Sequence, residues 1–145
     1  MEIKELTTIT EMLAELRTMQ HLYPNLSPAR YQQMLSEMLP HNYRQIAVFD
    51  QGQCVGISGF WLGTKLWSGK FMELDNFIVD PDHRSKGIGK MICDYAEALA
   101  VSLGCTNIVL DAYTNNFAAH RFYYNQGFGP KGFHFVKILD LDGLT

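Results

Sequence analysis

Two segments near the start of the chain carry apolar residues at every third or fourth position, and this spacing predicts amphipathic helices. The first segment runs from Thr8 to about Gln20, and the second runs from Pro28 to Leu39 and stops at Pro40. Ser27 ahead of Pro28 is typical of an N-cap followed by a proline in the first turn. A short strand at Glu2–Leu6 is predicted ahead of both helices.

The middle of the chain changes to short apolar runs separated by tight turns, a pattern that predicts a β meander. The predicted strands are Gln45–Asp50, Cys54–Leu62 and Lys70–Val79. A turn at Asp50–Gln53 joins the first two, a turn at Leu66–Gly69 joins the next two, and Asp80-Pro81-Asp82 closes the third.

The second half alternates helices with strands. The predicted elements are a helix from about Gly87 to Leu103, a strand Thr106–Ala112, a short helix Asn115–Gln126 ended by Gly127, and a final strand Phe133–Leu139. Strands joined through a helix pair in parallel by right-handed crossovers. We therefore expect an α/β protein whose mixed, twisted sheet carries helices on both faces.

Composition narrows the class of protein. With 145 residues, 47% hydrophobic and 19% charged, the chain suits one soluble domain spanning residues 1–145. A net charge of −3 gives no basic footprint for nucleic acid. No signal peptide or membrane span is recognisable, so the expected location is cytoplasmic. Neither the scattered Cys54, Cys93 and Cys105 nor the histidines have metal-ligand spacing, so we expect reduced thiols and no metal.

The loop Asp80–Lys90 is the most informative stretch, because glycines and basic residues fall between a predicted strand and a predicted helix. Its backbone N–H groups should converge with the unpaired N–H groups of the helix start, an arrangement that binds anions. Gly87 and Gly89 let the backbone approach a pyrophosphate closely and adopt a positive φ where required. The added positive charge comes from Arg84, Lys86 and Lys90.

This loop has three competing interpretations. A P-loop needs Gly-x-x-x-x-Gly-Lys-Ser/Thr, but Met91 follows Lys90 and supplies no hydroxyl group for magnesium. A dinucleotide fingerprint needs a third glycine near Ile92, which is absent. A plain glycine-rich turn with a solvated basic rim remains the structural alternative.

Two ordered motifs carry a resemblance to a known family. Arg84-x-x-Gly87-x-Gly89, after a strand that ends Phe77-Ile78-Val79-Asp80-Pro81, resembles the acetyl-CoA site of the GNAT acetyltransferases. Downstream, Asn116-x-x-Ala119-x-x-Phe122-Tyr123-x-x-x-Gly127-Phe128 resembles the second signature of that family. The likeness spans Lys70 to Phe128 and implies the acyl-CoA N-acyltransferase fold and transfer of an acetyl group from acetyl-CoA to a primary amine.

The resemblance also implies roles for single residues. Asn116 would contact the pantetheine arm, and Tyr123 would give a proton or a hydrogen bond to the departing CoA sulfur. Backbone groups of the preceding strand would hold the acyl arm, at Phe77, Ile78 and Val79. The pyrophosphate would lie on the N–H groups of Arg84, Ser85, Lys86, Gly87, Ile88, Gly89 and Lys90. Helix spacing alone favours a packing role for Tyr123, four residues after Ala119.

Asp75 is the first candidate for the base that takes a proton from the amine, and Glu73 is the second. Period-two alternation along the strand places both on the same face as Phe77 and Val79. An aspartate in this role would need burial or would act through water. A carboxylate that only holds the substrate ammonium, or a structural hydrogen bond, is an equally open alternative.

The acceptor amine is the least defined part of the prediction. Leu74-Asp75-Asn76 resembles the diamine branch of the family, which usually carries Leu-Glu-Asp, so polyamines are one option among small amines. The alternatives are a protein lysine or N-terminus, and a non-catalytic CoA-binding module, which the neutral Asn76 motivates. A homodimer is an option by analogy with the family, and the final strand Phe133–Leu139 could pair across its interface. Aromatic residues that could line an acceptor cleft are Trp61, Trp67, Tyr23 and Tyr31, although packing is their commoner role.

Overall fold

The computed structural model describes residues 1–145 and confirms a mixed sheet with helices on both faces. The strands are β1 Glu2–Leu6, β2 Tyr43–Asp50, β3 Gln53–Lys65, β4 Gly69–Val79 and β5 Asn107–Leu110. The helices are α1 Ile9–Ala14, α2 Leu16–Met19, α3 Pro28–Met38, α4 Ile88–Ser102 and α5 Phe117–Asn125. Single 3₁₀ turns occur at Leu39–His41, Pro81–His83 and Leu141–Gly143. The chain divides into two compact units, Met1–Leu110 and Asp111–Thr145.

The sheet lies in the first unit and keeps the strands in chain order, β1-β2-β3-β4-β5. All neighbours are antiparallel except β4 and β5, which are parallel and are joined through α4. The predicted turn between β2 and β3 is confirmed. Gln51 and Gly52 both have positive φ, at 49° and 79°, as a type I′ hairpin turn requires.

The two faces of the sheet are covered by different helices. Adjacent residues of β3 define the faces, because successive strand side chains point in opposite directions. Ile57 is buried in a core cluster with residues of α1 to α3. Gly56 instead faces α4, where a Cβ would come within 2.6 Å of the Ile88 side chain. The α1–α3 face also buries Met12, Met19, Tyr31, Leu35, Tyr43 and Ala47.

The predicted helices are present, with local differences at their ends. The first is interrupted at Glu15, whose φ of −105° and ψ of 20° separate α1 from α2. The second ends at Met38, and Pro40 then lies inside a 3₁₀ turn that a proline can enter near its start. Ser27 is its N-cap, and the hydroxyl oxygen accepts the N–H of Arg30, as predicted.

The predicted strand Phe133–Leu139 is wrong. Residues 128–140 form no strand. The composition of the segment is typical of a strand, but a strand also needs a partner with which to form a hydrogen-bond ladder. This segment has none in the structure. The strand expected at Thr106–Ala112 is shortened for the same reason, because its ladder with β4 ends at Leu110.

The three cysteines are free thiols. Burial raises the pKa of Cys54 to about 11 and that of Cys93 to about 12, so both stay protonated near neutral pH. Cys105 is half-buried at the end of the α4–β5 connection. None of the helices has the length and apolar character that crossing a bilayer requires.

Candidate active site

The loop between β4 and α4 has the backbone shape expected of an anion site. After the 3₁₀ turn Pro81–His83, Arg84 is extended, and Ser85 and Gly87 both adopt left-handed conformations, with φ of 64° and 77°. Gly87 is the N-cap of α4, and no side chain caps the helix there. Arg84 to Gly87 are exposed. The first N–H groups of α4 are therefore directed at a surface that a phosphate can reach.

Of the two glycines in the motif, only Gly87 has a positive φ. A Cβ at Gly87 would meet no atom within 4 Å, so glycine is required there by its φ and not by lack of space. Gly89 is different, because it lies inside the first turn of α4 and is buried.

Asp80 fixes the start of this loop. Its N–H donates to the carbonyl oxygen of Val55 on β3, and its Oδ1 accepts the N–H of Asp82 at 2.8 Å. The carboxylate also lies 3.5 Å from His83 Nδ1 and 3.7 Å from His21 Nε2. At 3.5 Å the His83 contact is longer than a well-formed hydrogen bond. The Asp82 N–H, followed by His83, lowers the pKa of Asp80.

We expect Asp80→Ala to lower the free energy of unfolding by about 1 kcal/mol at pH 7, the usual loss for a capping carboxylate. Because the folded-state pKa is depressed, this stabilisation is fully present above the ordinary aspartate pKa. It is lost as the pH falls through the lowered folded value. Urea denaturation between pH 7 and pH 3 should show the parent and the variant converging. A gap that is constant over this range, or an equal loss in the exposed Asp82→Ala control, would contradict the assignment.

A β-bulge shapes the end of β4. Ile57 pairs with Ile78 while Gly59 pairs with Asp75, so Ser58 of β3 faces two residues of β4, Asn76 and Phe77. Asn76 is the bulged residue with a φ of 54°. Asparagine is one of the few residues besides glycine that enters the left-handed region readily.

The bulge overturns the predicted alternation along β4. Cross-strand partners share a face, so Asp75 and Ile78 lie on the α1–α3 face together with Gly59 and Ile57. Phe77 and Val79 therefore point to the opposite face, and the expectation that they share a face with Asp75 is wrong. The extra residue at the bulge is the physical reason.

The ladder between β4 and β5 ends where the bulge begins. Its last pair is Leu74 with Leu110, whereas β4 continues for five more residues to Val79 while paired with β3 on its other side. The backbone from Asp75 to Val79 is thus outside the β4–β5 ladder. The role of Phe77–Val79 in holding an extended acyl arm by backbone groups stays a prediction.

The Asp75 carboxylate is held from two directions. Its Oδ2 accepts the indole N–H of Trp61 at 3.0 Å, and its Oδ1 accepts the backbone N–H of Asn76 at 2.8 Å. The Trp61 ring lies against Tyr43, with ring centroids 4.9 Å apart. Trp67, the other tryptophan, is 78% exposed in the β3–β4 turn.

Next to Asp75 runs a chain of neutral hydrogen bonds, part-buried at Asn76 and Tyr23 and buried at Tyr43 and Gln45. The amide of Asn76 accepts from the Tyr43 hydroxyl and donates to the Tyr23 hydroxyl, each at 2.8 Å. The Gln45 amide donates to the hydroxyls of Tyr43 and Tyr31, at 3.2 and 2.8 Å. Burial raises the pKa of Tyr43, so its hydroxyl keeps its proton and its role as a donor. These bonds were not predicted, although an asparagine inside a strand pattern is a recognisable sign of a bulge.

The second unit supplies the residues of the downstream motif and is described by itself. Asn116 is the N-cap of α5, and its Oδ1 accepts the N–H of Ala119 at 3.2 Å. At the other end, Gly127 has a φ of 90°, and the N–H of Phe128 donates to the carbonyl oxygen of Tyr123. This is a Schellman motif, in which the rings of Tyr123 and Phe128 pack edge to face at 5.8 Å. The packing uses only the ring of Tyr123.

Residues 9–128 match the family model for the acetyltransferase (GNAT) family. The chain belongs to this family. The resemblance read from the two motifs is thereby confirmed, and the matched region includes the loop before α4, the bulge and the Schellman motif. The roles of the individual residues in GNAT chemistry stay predictions.

Two curated relatives indicate the range of the GNAT proteins that are similar in sequence. The peptidyl-lysine N-acetyltransferase YjaB of Salmonella typhimurium is 34% identical over 108 residues, 74% of this chain and 65% of the relative. The spermine/spermidine N(1)-acetyltransferase of Bacillus subtilis is 30% identical over 113 residues, 71% of this chain and 67% of the relative. The chain thus spans about two thirds of the length of each relative.

The solved structures confirm the fold. The aminoglycoside N-acetyltransferase AAC(6')-Iy, in complex with CoA, aligns with a TM-score of 0.82 over 96% of this chain and 95% of its own. The sequence identity is only 16%, so this GNAT likeness concerns the fold and not the acceptor.

Proposed function

We propose that this GNAT protein transfers the acetyl group of acetyl-CoA directly to the primary amine of a small molecule. The observation that carries the proposal is the exposed loop before α4. Its left-handed Gly87 turns the first N–H groups of the helix outward, next to the exposed basic residues Arg84 and Lys86, whereas the ammonium group of Lys90 is paired with Asp94. Backbone donors at a helix N-terminus bind phosphates well, which suits the pyrophosphate of acetyl-CoA.

The same geometry implies a position for the acyl arm of acetyl-CoA. With the pyrophosphate on residues 84–90, the thioester end would extend along the stretch of β4 that lies beyond the β5 ladder, at Phe77, Ile78 and Val79. The proposed contact of Asn116 with the pantetheine arm would use groups other than its capping Oδ1. No metal has a part in this scheme.

Transfer requires that the amine lose a proton. A free primary amine has a pKa of about 10.4, so deprotonation at neutral pH costs roughly 4 to 5 kcal/mol. We propose Asp75 as the residue that meets this need, either by accepting the proton or by holding the ammonium group. It lies on β4 only a few residues before the proposed acyl site, and it is half-buried.

Transfer also releases CoA as a thiolate, which Tyr123 is proposed to stabilise. An unperturbed tyrosine has a pKa of about 10 and a thiol about 8.5, so complete proton transfer costs roughly 2 kcal/mol. A hydrogen bond to the developing thiolate is therefore easier than full protonation. Tyr123→Phe keeps the ring that packs on Phe128 and tests the hydroxyl group alone.

The activity can be tested with acetyl-CoA and three acceptors: spermidine, kanamycin and an N-terminally blocked lysine peptide. Release of the CoA thiol and the mass of the acetylated product would be followed together. We expect turnover with a small amine and a loss of about tenfold or more in kcat for Tyr123→Phe, because aimed donors to a developing charge have effects of this size or larger. Absence of turnover with all three amines, despite CoA binding measured by calorimetry, would favour a non-catalytic CoA-binding module.

A protein lysine is the second candidate acceptor. It is favoured by the relative described as a peptidyl-lysine N-acetyltransferase, which is similar over 74% of this chain. A kcat/KM for the lysine peptide that exceeds those for spermidine and kanamycin would replace the small-molecule proposal with this one.

A further inference from the structure

Both oxygens of the Asp75 carboxylate accept a hydrogen bond from the protein. The donors are Trp61 Nε1, 3.0 Å from Oδ2, and the N–H of Asn76, 2.8 Å from Oδ1. One bond would leave the carboxylate plane able to rotate, whereas two bonds to different oxygens fix its direction. An ionised carboxylate has about four acceptor sites, so each oxygen can still accept a proton donor from a ligand.

The Asn76 donor is itself held in place. Its backbone is left-handed at the bulge, and both ends of its side-chain amide are used, by Tyr43 on one side and Tyr23 on the other. Tyr43 belongs to β2, and Tyr23 to the connection between α2 and α3. The N–H that reaches Asp75 is therefore fixed by the bulge of β4, by β2 and by the connection between α2 and α3.

The Trp61 donor is held by packing. Its ring is tilted by 54° against the ring of Tyr43, which is only 1% exposed. Tyr43 can lie there because position 59 is a glycine, and a Cβ at that position would overlap the Tyr43 hydroxyl. The indole N–H thus has little freedom to turn away from Asp75.

We propose that Trp61 and Asn76 are positioning residues, which hold the Asp75 carboxylate in one orientation toward the amino group of the acceptor. This inference rests on the proposed function, which assigns Asp75 to take the proton from the amine or to hold its ammonium group. A group that must contact a reacting amine is effective only within about 0.5 Å of its productive position. The indole and the bulge amide supply that precision from rigid strands, while the substrate approaches the remaining acceptor sites of the carboxylate.

The kinetic test is a double-mutant cycle with Trp61→Phe and Asp75→Asn. Phenylalanine retains an aromatic ring against Tyr43 and removes the N–H. We expect Trp61→Phe alone to lower kcat/KM for the amine about tenfold, the usual effect of losing one hydrogen bond to a charged group. In the Asp75→Asn background the same change should have an effect below about twofold, because contacting residues are non-additive. Equal effects in both backgrounds would overturn the proposal, and acetyl-CoA affinity should be unchanged throughout.

The positioning role of Asn76 at the bulge is tested with a separate variant. Asn76→Gly keeps a residue that tolerates positive φ and removes the bonds to Tyr43 and Tyr23, so kcat/KM for the amine should fall severalfold. The matched control is Asn42→Gly, an exposed asparagine with a φ of 66° that ends the 3₁₀ turn Leu39–His41. If the two variants retain equal activity, the Asn76 side chain has no positioning role.

A spectroscopic test separates this inference from the proposed function. The chain has two tryptophans, so a ¹H–¹⁵N correlation spectrum contains two indole signals. Trp61→Phe identifies the Trp61 signal, and the exposed Trp67 serves as the internal reference. We expect only the Trp61 signal to move when Asp75 is protonated in acid, and this movement to vanish in Asp75→Asn. A Trp61 signal that behaves as Trp67 does would overturn the proposal.

The acceptors for the kinetic arm are spermidine, kanamycin and the blocked lysine peptide. If the parent protein acetylates none of them, the proposed function fails, and the proposed contact of Asp75 with the amine fails with it. The indole titration needs no turnover. It would still decide whether Trp61 holds Asp75, so the two failures have different signatures.

Discussion

Gly87→Val should weaken the binding of acetyl-CoA by at least about 100-fold, which corresponds to about 2.7 kcal/mol. Gly87 has a φ of 77°, and a β-branched residue resists this left-handed conformation. The start of α4 would rearrange and turn its N–H groups away from the pyrophosphate. Each lost hydrogen bond to a charged phosphate costs about 1.5 to 3 kcal/mol, so the loss of two is enough. Isothermal titration calorimetry with acetyl-CoA measures the effect.

Gly104→Val is the matched control for this change. Gly104 follows the other end of α4, has a φ of 78°, and like Gly87 has no atom within 4 Å of a Cβ placed on it. Both variants therefore carry similar backbone strain and a similar loss of stability. Only Gly87→Val should lose affinity for CoA. If the two variants bind acetyl-CoA equally well, the loop before α4 is not the pyrophosphate site. Gly89 is unsuitable for this experiment, because a side chain there would disturb the buried first turn of α4.

The sheet and the loop could be predicted because their signals are local. Apolar periodicity located β2 to β4 and the helices α3 and α4 to within a few residues. The helix start near Gly87 was predicted correctly, whereas a positive φ was allowed at Gly87 and Gly89 alike and occurs only at Gly87. These features depend on φ preferences and on which side chains are apolar, and both are properties of neighbouring residues.

The bulge could not be predicted from alternation, because one inserted residue inverts the faces of every residue after it. Asp75 and Asn76 are adjacent, yet the hydrogen bonds of both side chains lie on the α1–α3 face. The sequence alone suggested that Asn76 replaces an acid of the diamine branch. In the structure it is the residue whose left-handed φ forms the bulge, which explains an amide at this position without reference to substrate.

The wrongly predicted strand at Phe133–Leu139 and the Schellman motif at Gly127 differ in whether neighbouring residues alone determine the structure. Strand composition does not specify a partner, and pairing depends on residues distant in the chain. The spacing of Tyr123, Gly127 and Phe128, in contrast, is accounted for locally by a helix end and its ring contact. Part of a family signature can thus be structural, and the hydroxyl group of Tyr123 must be tested separately from its ring.

Asp75→Asn should lower kcat/KM for the amine by at least about 100-fold, the lower end of the range for a positioned acid or base. An asparagine fits the same space but has only one acceptor oxygen, so its NH₂ group faces one of the two donors, Trp61 Nε1 or the Asn76 N–H, and that hydrogen bond is lost. Whether kcat or KM changes in Asp75→Asn identifies the role of Asp75. If Asp75 removes the proton, kcat falls and activity recovers at high pH as the amine loses its proton in solution. If Asp75 holds the ammonium group, KM for the amine rises instead.

Glu73→Gln is the comparison for this prediction, since Glu73 precedes Asp75 by two residues on the same face of β4 and pairs with Trp61 across the sheet. A loss of charge near the site would affect both variants alike, whereas a specific carboxylate at position 75 makes the Asp75→Asn loss the larger one. Acetyl-CoA affinity should remain that of the parent in both. A greater loss in Glu73→Gln would transfer the role to Glu73. It would also remove the reason for the two hydrogen bonds to Asp75, because a carboxylate that never meets the amine needs no fixed direction.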